Sequence, residues 1–170
     1  MYFEDESRFG LFTRAGRTLT ARGVKPYCKF QQVFLSTYLF GAFSPITGDS
    51  FLLEMPLCNA NAFQIFLNEF TLKNEKELKL IVLDNGAFHK AKSLKIPDNI
   101  ILIFLPPYCP ELNPAEKIWA KFKRQFTNQF FKTIEDLQEF VCDISTTLKA
   151  KEVKSICSYS YIFADLFWSA

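Results

Sequence analysis

The chain has a single histidine and no closely spaced pair of cysteines, and these two absences exclude several kinds of site. Because His89 is the only histidine, a metal site built from several imidazoles is excluded. The cysteines are odd in number and contain no CxxC pair; they are Cys28, Cys58, Cys109, Cys142 and Cys157. This pattern argues against a disulfide framework or a zinc site and favours a reducing cellular interior.

No run of apolar residues is long enough to cross a membrane. The longest runs, near Val33–Phe43 and Ile100–Tyr108, fall short of the roughly 18 residues that a spanning helix needs. The chain also does not open with the basic and then apolar residues of a signal peptide. We therefore expect a soluble, cytoplasmic protein with no membrane partner.

Acidic residues are missing between Ser7 and Gly48, although the whole chain carries a net charge of only +2. The basic residues of this segment are Arg8, Arg14, Arg17, Arg22, Lys25 and Lys29. An acid-free basic segment favours contact with a phosphate backbone. A solvated surface, compensated by acids elsewhere in the chain, is the alternative, and the charges alone do not decide between the two.

The patterning predicts one domain covering residues 1–170, with five strands and several helices. The predicted strands cover residues 1–6, 33–43, 51–55, 80–83 and 100–105. Helices are expected after Asn59, over 87–94, from Asn113 with Pro114 at its first position, and after Thr133. Strands first, then alternating helices and strands, indicate an α/β fold in which a mixed five-stranded sheet is flanked by helices.

Asp84 lies where a reactive carboxylate is expected in such a fold. It follows the apolar strand 80–83 directly, and active sites of open α/β sheets gather beyond the carboxyl ends of strands. The alternative is an ordinary turn, because Asp84-Asn85-Gly86 is composed of the commonest turn-forming residues.

Glu116 and Asp5 are two further candidates, each with a structural alternative. Glu116 occupies the third helical position after Asn113, where a capping box would explain it. The proline-rich connector over residues 106–114 is, however, more rigid than a helix start requires, as suits a site that holds one carboxylate against another. Asp5 alternates with Glu4 and Glu6 along the first strand, for which a solvated edge is the alternative.

Asp5, Asp84 and Glu116 would need a cation if they met at one point. Each pair of carboxylates at 4 Å would repel by roughly 4 kcal/mol at an effective dielectric near 20. Mg²⁺, or Mn²⁺ in its place, binds carboxylates and phosphates together. Two such ions about 3.5–4 Å apart support in-line displacement at phosphorus, so we predict two ions at these acids.

The helix that follows Glu116 carries basic residues on one face. Lys117, Lys121 and Arg124 share this face, which would lie along a DNA strand or simply face solvent. His89, five residues beyond Asp84, is placed to contact a phosphate or an activated water, with a surface histidine as the alternative. The predicted DNA-binding set is Arg8, Lys25, His89, Lys90, Lys117, Lys121 and Arg124.

Four segments together resemble one family. They are residues 5–10 (Asp-Glu-Ser-Arg-Phe-Gly), 22–26 (Arg-Gly-Val-Lys-Pro), 82–90 (Val-Leu-Asp-Asn, then His-Lys) and 105–119 (Leu-Pro-Pro-Tyr through Trp). This order of motifs resembles the DDE transposases of bacterial insertion sequences related to Tc/mariner elements, the six-thirty family. The resemblance covers about residues 1–145, and the run Pro-Glu-Leu-Asn-Pro-Ala-Glu-Lys-Ile-Trp is its most specific part.

The resemblance implies a ribonuclease H-like fold, with Asp5, Asp84 and Glu116 in the catalytic, metal-binding positions. It implies cleavage of DNA at transposon ends and attack of the freed 3′-hydroxyl on target DNA, with the protein acting as a dimer. The chain starts at the first catalytic strand, so we expect the family's N-terminal helix-turn-helix region to be absent or encoded separately. A non-catalytic fragment that binds DNA or inhibits a full-length transposase is the alternative function, and another ribonuclease H-like nuclease is a third.

Overall fold

The computed structural model describes residues 1–163, and they form a mixed five-stranded sheet in the order β3-β2-β1-β4-β5. The strands are β1 (Tyr2–Gly10), β2 (Ser36–Phe43), β3 (Ser50–Met55), β4 (Lys79–Leu83) and β5 (Ile100–Phe104). The first three form an antiparallel meander, whereas β4 and β5 run parallel to β1. The predicted α/β fold and its five strands are confirmed. The predicted domain end at residue 170 lies outside the described residues.

Helices cover both faces of the sheet. One face packs on α1 (Ala60–Leu72), and the other packs on α2 (Ala115–Phe126), α3 (Ile134–Thr146) and α4 (Ala150–Cys157). A short α5 (Ser160–Phe163) ends the described chain. Strand alternation separates the two cores, because Phe40 and Ala42 face α1 whereas Leu39 and Phe43 face α2 and α3. None of the helices within residues 1–163 is long and apolar enough to cross a membrane.

Local sequence signals account for the starts of three helices. The side chain of Asn59 accepts a hydrogen bond from the N–H of Ala62 (2.9 Å) and so caps α1. Thr133 forms a capping box with Asp136 at the start of α3. Before α2, Pro114 already has helical backbone angles, and the side chain of Asn113 accepts from the N–H of Ala115 (3.1 Å). The starts after Asn59 and Thr133 are confirmed, and α2 begins one residue later than predicted, with Pro114 in place of Asn113 as its N-cap.

The first strand differs most from its prediction. It continues to Gly10 instead of ending at Glu6, because residues 7–10 pair with Ser36–Leu39 of β2. β1 is also the central strand, with β2 on one side and β4 on the other, which excludes the solvated edge considered above. Its acidic residues are therefore enclosed by neighbouring strands.

Two other elements are shorter than predicted. The second strand begins at Ser36, because residues 11–35 form a connection without a helix or strand in which most side chains are exposed. The backbone of this connection is fixed at its base, where the N–H of Asn128 donates to the carbonyl of Arg14 (2.9 Å). The helix expected over 87–94 is a single 3₁₀ turn, Ala87–Lys90.

Candidate metal centre

Asp5, Asp84 and Glu116 line one pocket, although they lie on three separate elements. The pocket has a volume of about 390 Å³, and its wall is formed by the connector from Leu105 to Pro110. Asp5 lies on β1, and Asp84 follows β4, which is the parallel neighbour of β1. Glu116 lies in the first turn of α2. The fold thus brings the three predicted acids to the same opening.

Asp84 forms the turn that was considered as the alternative explanation for it, and it also lines the pocket. Its Oδ1 atom accepts a hydrogen bond from the N–H of Gly86 (2.8 Å), which is an Asx turn. The side chain is nevertheless 60% exposed towards the opening. The turn therefore fixes the carboxylate and does not remove it from the site.

The capping-box explanation for Glu116 does not hold. A capping box would need the N–H of Asn113 to bond to Glu116, but that N–H donates to the carbonyl of Pro110 instead (2.9 Å). The amide of Asn113 donates to the backbone carbonyl of Glu4 (2.8 Å), and this bond is buried. Asn113 thus ties the start of α2 to β1 beside Asp5, a role that helix periodicity did not predict.

The electrostatics of the pocket fit a divalent cation. Burial, followed by the charges of Glu6, Glu116 and Asp84, raises the pKa of Asp5 to about 8. A bound cation would relieve this penalty, and a set of three carboxylates suits Mg²⁺. Within residues 1–163, the ligand atoms of Asp5, Asp84 and Glu116 do not all lie within 4.8 Å of one another, whereas those of a different group do.

That other group is a buried network on the opposite face of β1. Nε2 of His89 lies 2.9 Å from Oε1 of Glu6 and 3.6 Å from Oε2 of Glu4, and Nδ1 lies 2.9 Å from Oδ1 of Asp84. His89 is only 3% exposed, so it does not face a DNA backbone as predicted from the sequence. The period of two in β1 separated Glu4 and Glu6 from Asp5, but it gave no sign that they are enclosed.

Protonation accounts for this network. Burial, followed by the charges of Glu6 and Asp5, raises the pKa of Glu4 well above its ordinary value, which favours the neutral acid. Burial alone would lower the pKa of His89, but its hydrogen bonds to Glu6 and Asp84 and their charges raise it overall. Both carboxyl oxygens of Glu4 are buried without a hydrogen-bond partner, which a neutral acid tolerates better than a charged one.

A basic groove runs from the acidic pocket along α2. It has a volume of about 690 Å³, and its lining includes Glu116 together with Arg14, Lys117, Lys123 and Arg124. Lys117 and Arg124 were in the predicted DNA-binding set, whereas Arg14 and Lys123 were not. Nζ of Lys117 lies 4.2 Å from the centre of the Tyr159 ring.

The other predicted basic residues lie elsewhere. Lys121 turns towards α4, where its Nζ bonds to Glu152 (2.7 Å), so its charge is compensated. Arg8 lines a different pocket beside Phe12, and Lys25 is exposed in the 11–35 connection. Lys90 donates to the side chain of Asn85, a residue of the acidic pocket. Of the basic face predicted by helix spacing, Lys117 and Arg124 thus line the open groove, whereas Lys121 does not.

A mixed five-stranded sheet with helices on both faces, an acidic residue on its central strand, a second after the adjacent parallel strand and a third on a covering helix is the arrangement of a ribonuclease H-like fold. Residues 1–138 match the family described as DDE superfamily endonuclease. The chain belongs to this family, which confirms the resemblance drawn from its motifs.

The relatives agree with this family and fold. An uncharacterized protein of Sinorhizobium fredii, y4pE/y4sA, is 38% identical over 107 residues, which are 62% of this chain and 79% of that protein. The pre-cleavage Mos1 transpososome superposes with a TM-score of 0.70 at 15% identity, covering 92% of this chain and 51% of that one. The Mos1 paired-end complex with Mg gives 0.70 at 15% identity, covering 92% and 50%. The chain therefore spans about half the length of these transposase chains and shares their fold.

Proposed function

We propose that this chain is the catalytic domain of a DDE transposase, which cleaves DNA strands and transfers them with the aid of a divalent metal. The observation that carries the proposal is the convergence of Asp5, Asp84 and Glu116 on one pocket from three separate elements. Family membership over residues 1–138 supports the same chemistry.

In this proposal the residues of the chain have distinct tasks. Asp5, Asp84 and Glu116 supply the carboxylate oxygens that hold the metal, with Mg²⁺ or Mn²⁺ as the cofactor and two ions as the proposed number. The rigid connector over residues 105–110 keeps the third acid at a fixed distance from the other two. When bound, the metal would activate the attacking oxygen and stabilise the leaving one at the scissile phosphate.

The DNA strand would lie in the basic groove beside Glu116. Arg14, Lys117, Lys123 and Arg124 provide cationic groups along the lining, where they can contact phosphates without reading sequence. The Mos1 structures contain complexes with transposon ends and with Mg or Mn, which supports the same substrate and cofactor class here.

The assembly around this domain is part of the proposal. Synapsis of two DNA ends calls for two catalytic domains, so we propose a homodimer. Recognition of the ends would come from a helix-turn-helix partner region, and the cytoplasm is the proposed location. The alternative of a non-catalytic fragment is not favoured, because all three acids are present and reach the pocket.

Calorimetric titration of Mn²⁺ into the purified chain tests the proposal. We expect wild type to bind Mn²⁺ and Asp84→Asn to lose this binding, because one of three ligands loses its charge. The matched control is Glu69→Gln, which neutralises an exposed acid on α1 and should bind like wild type. Equal binding by wild type and Asp84→Asn would contradict the proposal. Nicking of a supercoiled plasmid in Mn²⁺ gives a second readout for the same proteins.

A further inference from the structure

We propose that His89 is a positioning residue that holds Oδ1 of Asp84 and thereby leaves Oδ2 to face the metal. The inference rests on the proposed function, because it concerns one of the three metal-holding acids. It gives the buried network beneath the pocket a role in metal binding.

The two oxygens of Asp84 have unequal surroundings. Oδ1 accepts hydrogen bonds from the N–H of Gly86 (2.8 Å) and from Nδ1 of His89 (2.9 Å). An ionised carboxylate can only accept, so Nδ1 must be the donor. Within residues 1–163, Oδ2 has no such hydrogen bond. Two donors on one oxygen fix the rotation of a side chain that is 60% exposed and lines the pocket, and they leave Oδ2 as its oxygen without a hydrogen bond.

The imidazole is itself held rigidly. Its second nitrogen, Nε2, lies 2.9 Å from Oε1 of Glu6, a residue 83 positions away in sequence on the central strand. The rings of Phe63 and Phe88 lie 4.5 Å and 4.1 Å from the imidazole, centre to centre. His89 therefore links β1, which carries Asp5, to the turn that carries Asp84, and it fixes the two metal-holding aspartates relative to each other.

Gly86 supports this arrangement through close contact. A Cβ atom at this position would lie 3.0 Å from both Oδ1 of Asp84 and Nδ1 of His89. The backbone angles of Gly86, φ −49° and ψ 135°, are available to any residue, so its conformation does not require glycine. A side chain here would press directly on the Asp84–His89 hydrogen bond.

Two isosteric variants separate positioning from packing. The amide nitrogen of asparagine lies near the position of Nδ1, whereas that of glutamine lies near Nε2. His89→Asn can therefore still donate to Asp84, and His89→Gln can donate only to Glu6. In Mn²⁺ titration we expect His89→Asn to remain within about threefold of wild type and His89→Gln to bind about 10–100-fold more weakly. Gly86→Ala, which leaves the imidazole intact, should fall between them.

The single histidine provides a readout that does not depend on these variants folding. In ¹H–¹⁵N spectra, every imidazole signal belongs to His89. We expect Mg²⁺ to shift the Nδ1 signal of wild type, because Asp84 changes its charge distribution on binding metal. Asp84→Asn should alter the Nδ1 signal and abolish its response to Mg²⁺, whereas Glu69→Gln should leave both unchanged.

The outcomes distinguish this inference from the proposed function. If Asp84→Asn binds Mn²⁺ like wild type, the proposed function fails, and this inference fails with it. If Asp84→Asn loses binding while His89→Gln retains it, only the positioning role is overturned. Weakening by His89→Asn equal to that by His89→Gln would reduce the residue to a packing role. An Nδ1 signal unaffected by both Mg²⁺ and Asp84→Asn would overturn the inference by itself.

Discussion

The substitution Asp5→Asn should stabilise the metal-free protein, and more strongly as the pH rises. Burial, followed by the charges of Glu6, Glu116 and Asp84, raises the pKa of Asp5 from its ordinary value near 3.8 to about 8. At neutral pH the unfolded chain has therefore lost a proton that the folded chain keeps. Asparagine has nearly the same shape and carries no proton to lose, so it removes this difference.

The magnitude follows from proton linkage. A carboxyl whose pKa is raised on folding contributes its full stability below about pH 4 and loses it as the pH rises through about 8. Each pH unit in that window lowers the free energy of unfolding by about 1.4 kcal/mol, which reaches about 4 kcal/mol at pH 7. Relaxation and water entry around a buried charge reduce this figure, so about 2–4 kcal/mol is the expected gain for Asp5→Asn.

Urea unfolding in EDTA at a series of pH values measures this effect. Wild type should lose stability between about pH 5 and pH 8, while the curve of Asp5→Asn should be flatter and higher at the alkaline end. Glu69→Gln, on the exposed face of α1, should run parallel to wild type. Saturating Mg²⁺ should stabilise wild type and not Asp5→Asn. A wild-type curve without the fall, or an equal fall in Asp5→Asn, would refute the reasoning.

Three further outcomes are expected. Glu116→Gln should change the free energy of unfolding in urea by less than about 0.5 kcal/mol, because no capping box depends on it. It should nevertheless abolish plasmid nicking, and retained nicking would remove Glu116 from the site. Lys123→Ala should lower the salt slope of DNA binding by about 1, because Lys123 lines the open groove. Lys121→Ala should leave the slope unchanged, because Lys121 is paired with Glu152; a loss of slope in Lys121→Ala but not in Lys123→Ala would place the DNA on the other side of α2. Gly41→Ala should cost about 1–3 kcal/mol in urea unfolding, because its methyl carbon would lie 2.6–2.8 Å from two core rings; an unchanged midpoint would contradict this packing.

Features that depend on neighbouring residues were predictable from the sequence. Asn59 and Thr133 cap their helices through bonds to residues three positions away, and this chemistry is visible in the sequence itself. The position of Asp84 after an apolar strand is equally local. Residue spacing alone did not predict that the three acids lie at one site, whereas the resemblance of the motifs did.

Features that join distant residues were not predictable. His89 contacts Glu6 across 83 positions of sequence, and the residues around either one do not predict this contact. The pairing of Lys121 with Glu152 depends on where α4 packs, so helix periodicity placed this lysine on an open face that it does not occupy. The central position of β1 depends on the arrival of β4 beside it, which the residues of β1 do not encode.

Because β1 carries three acids in a row, its register with the neighbouring strands decides which acid faces the pocket. A shift of β1 by one residue would turn every side chain to the opposite face and bring Glu4 or Glu6 into the pocket in place of Asp5. A carboxylate would still be present, so the acids themselves barely distinguish the correct alignment from a shifted one. The distinction comes from apolar neighbours, because the same shift would expel Phe9 from the core that it fills. In this strand, hydrophobic packing selects which acid faces the pocket as the proposed metal ligand.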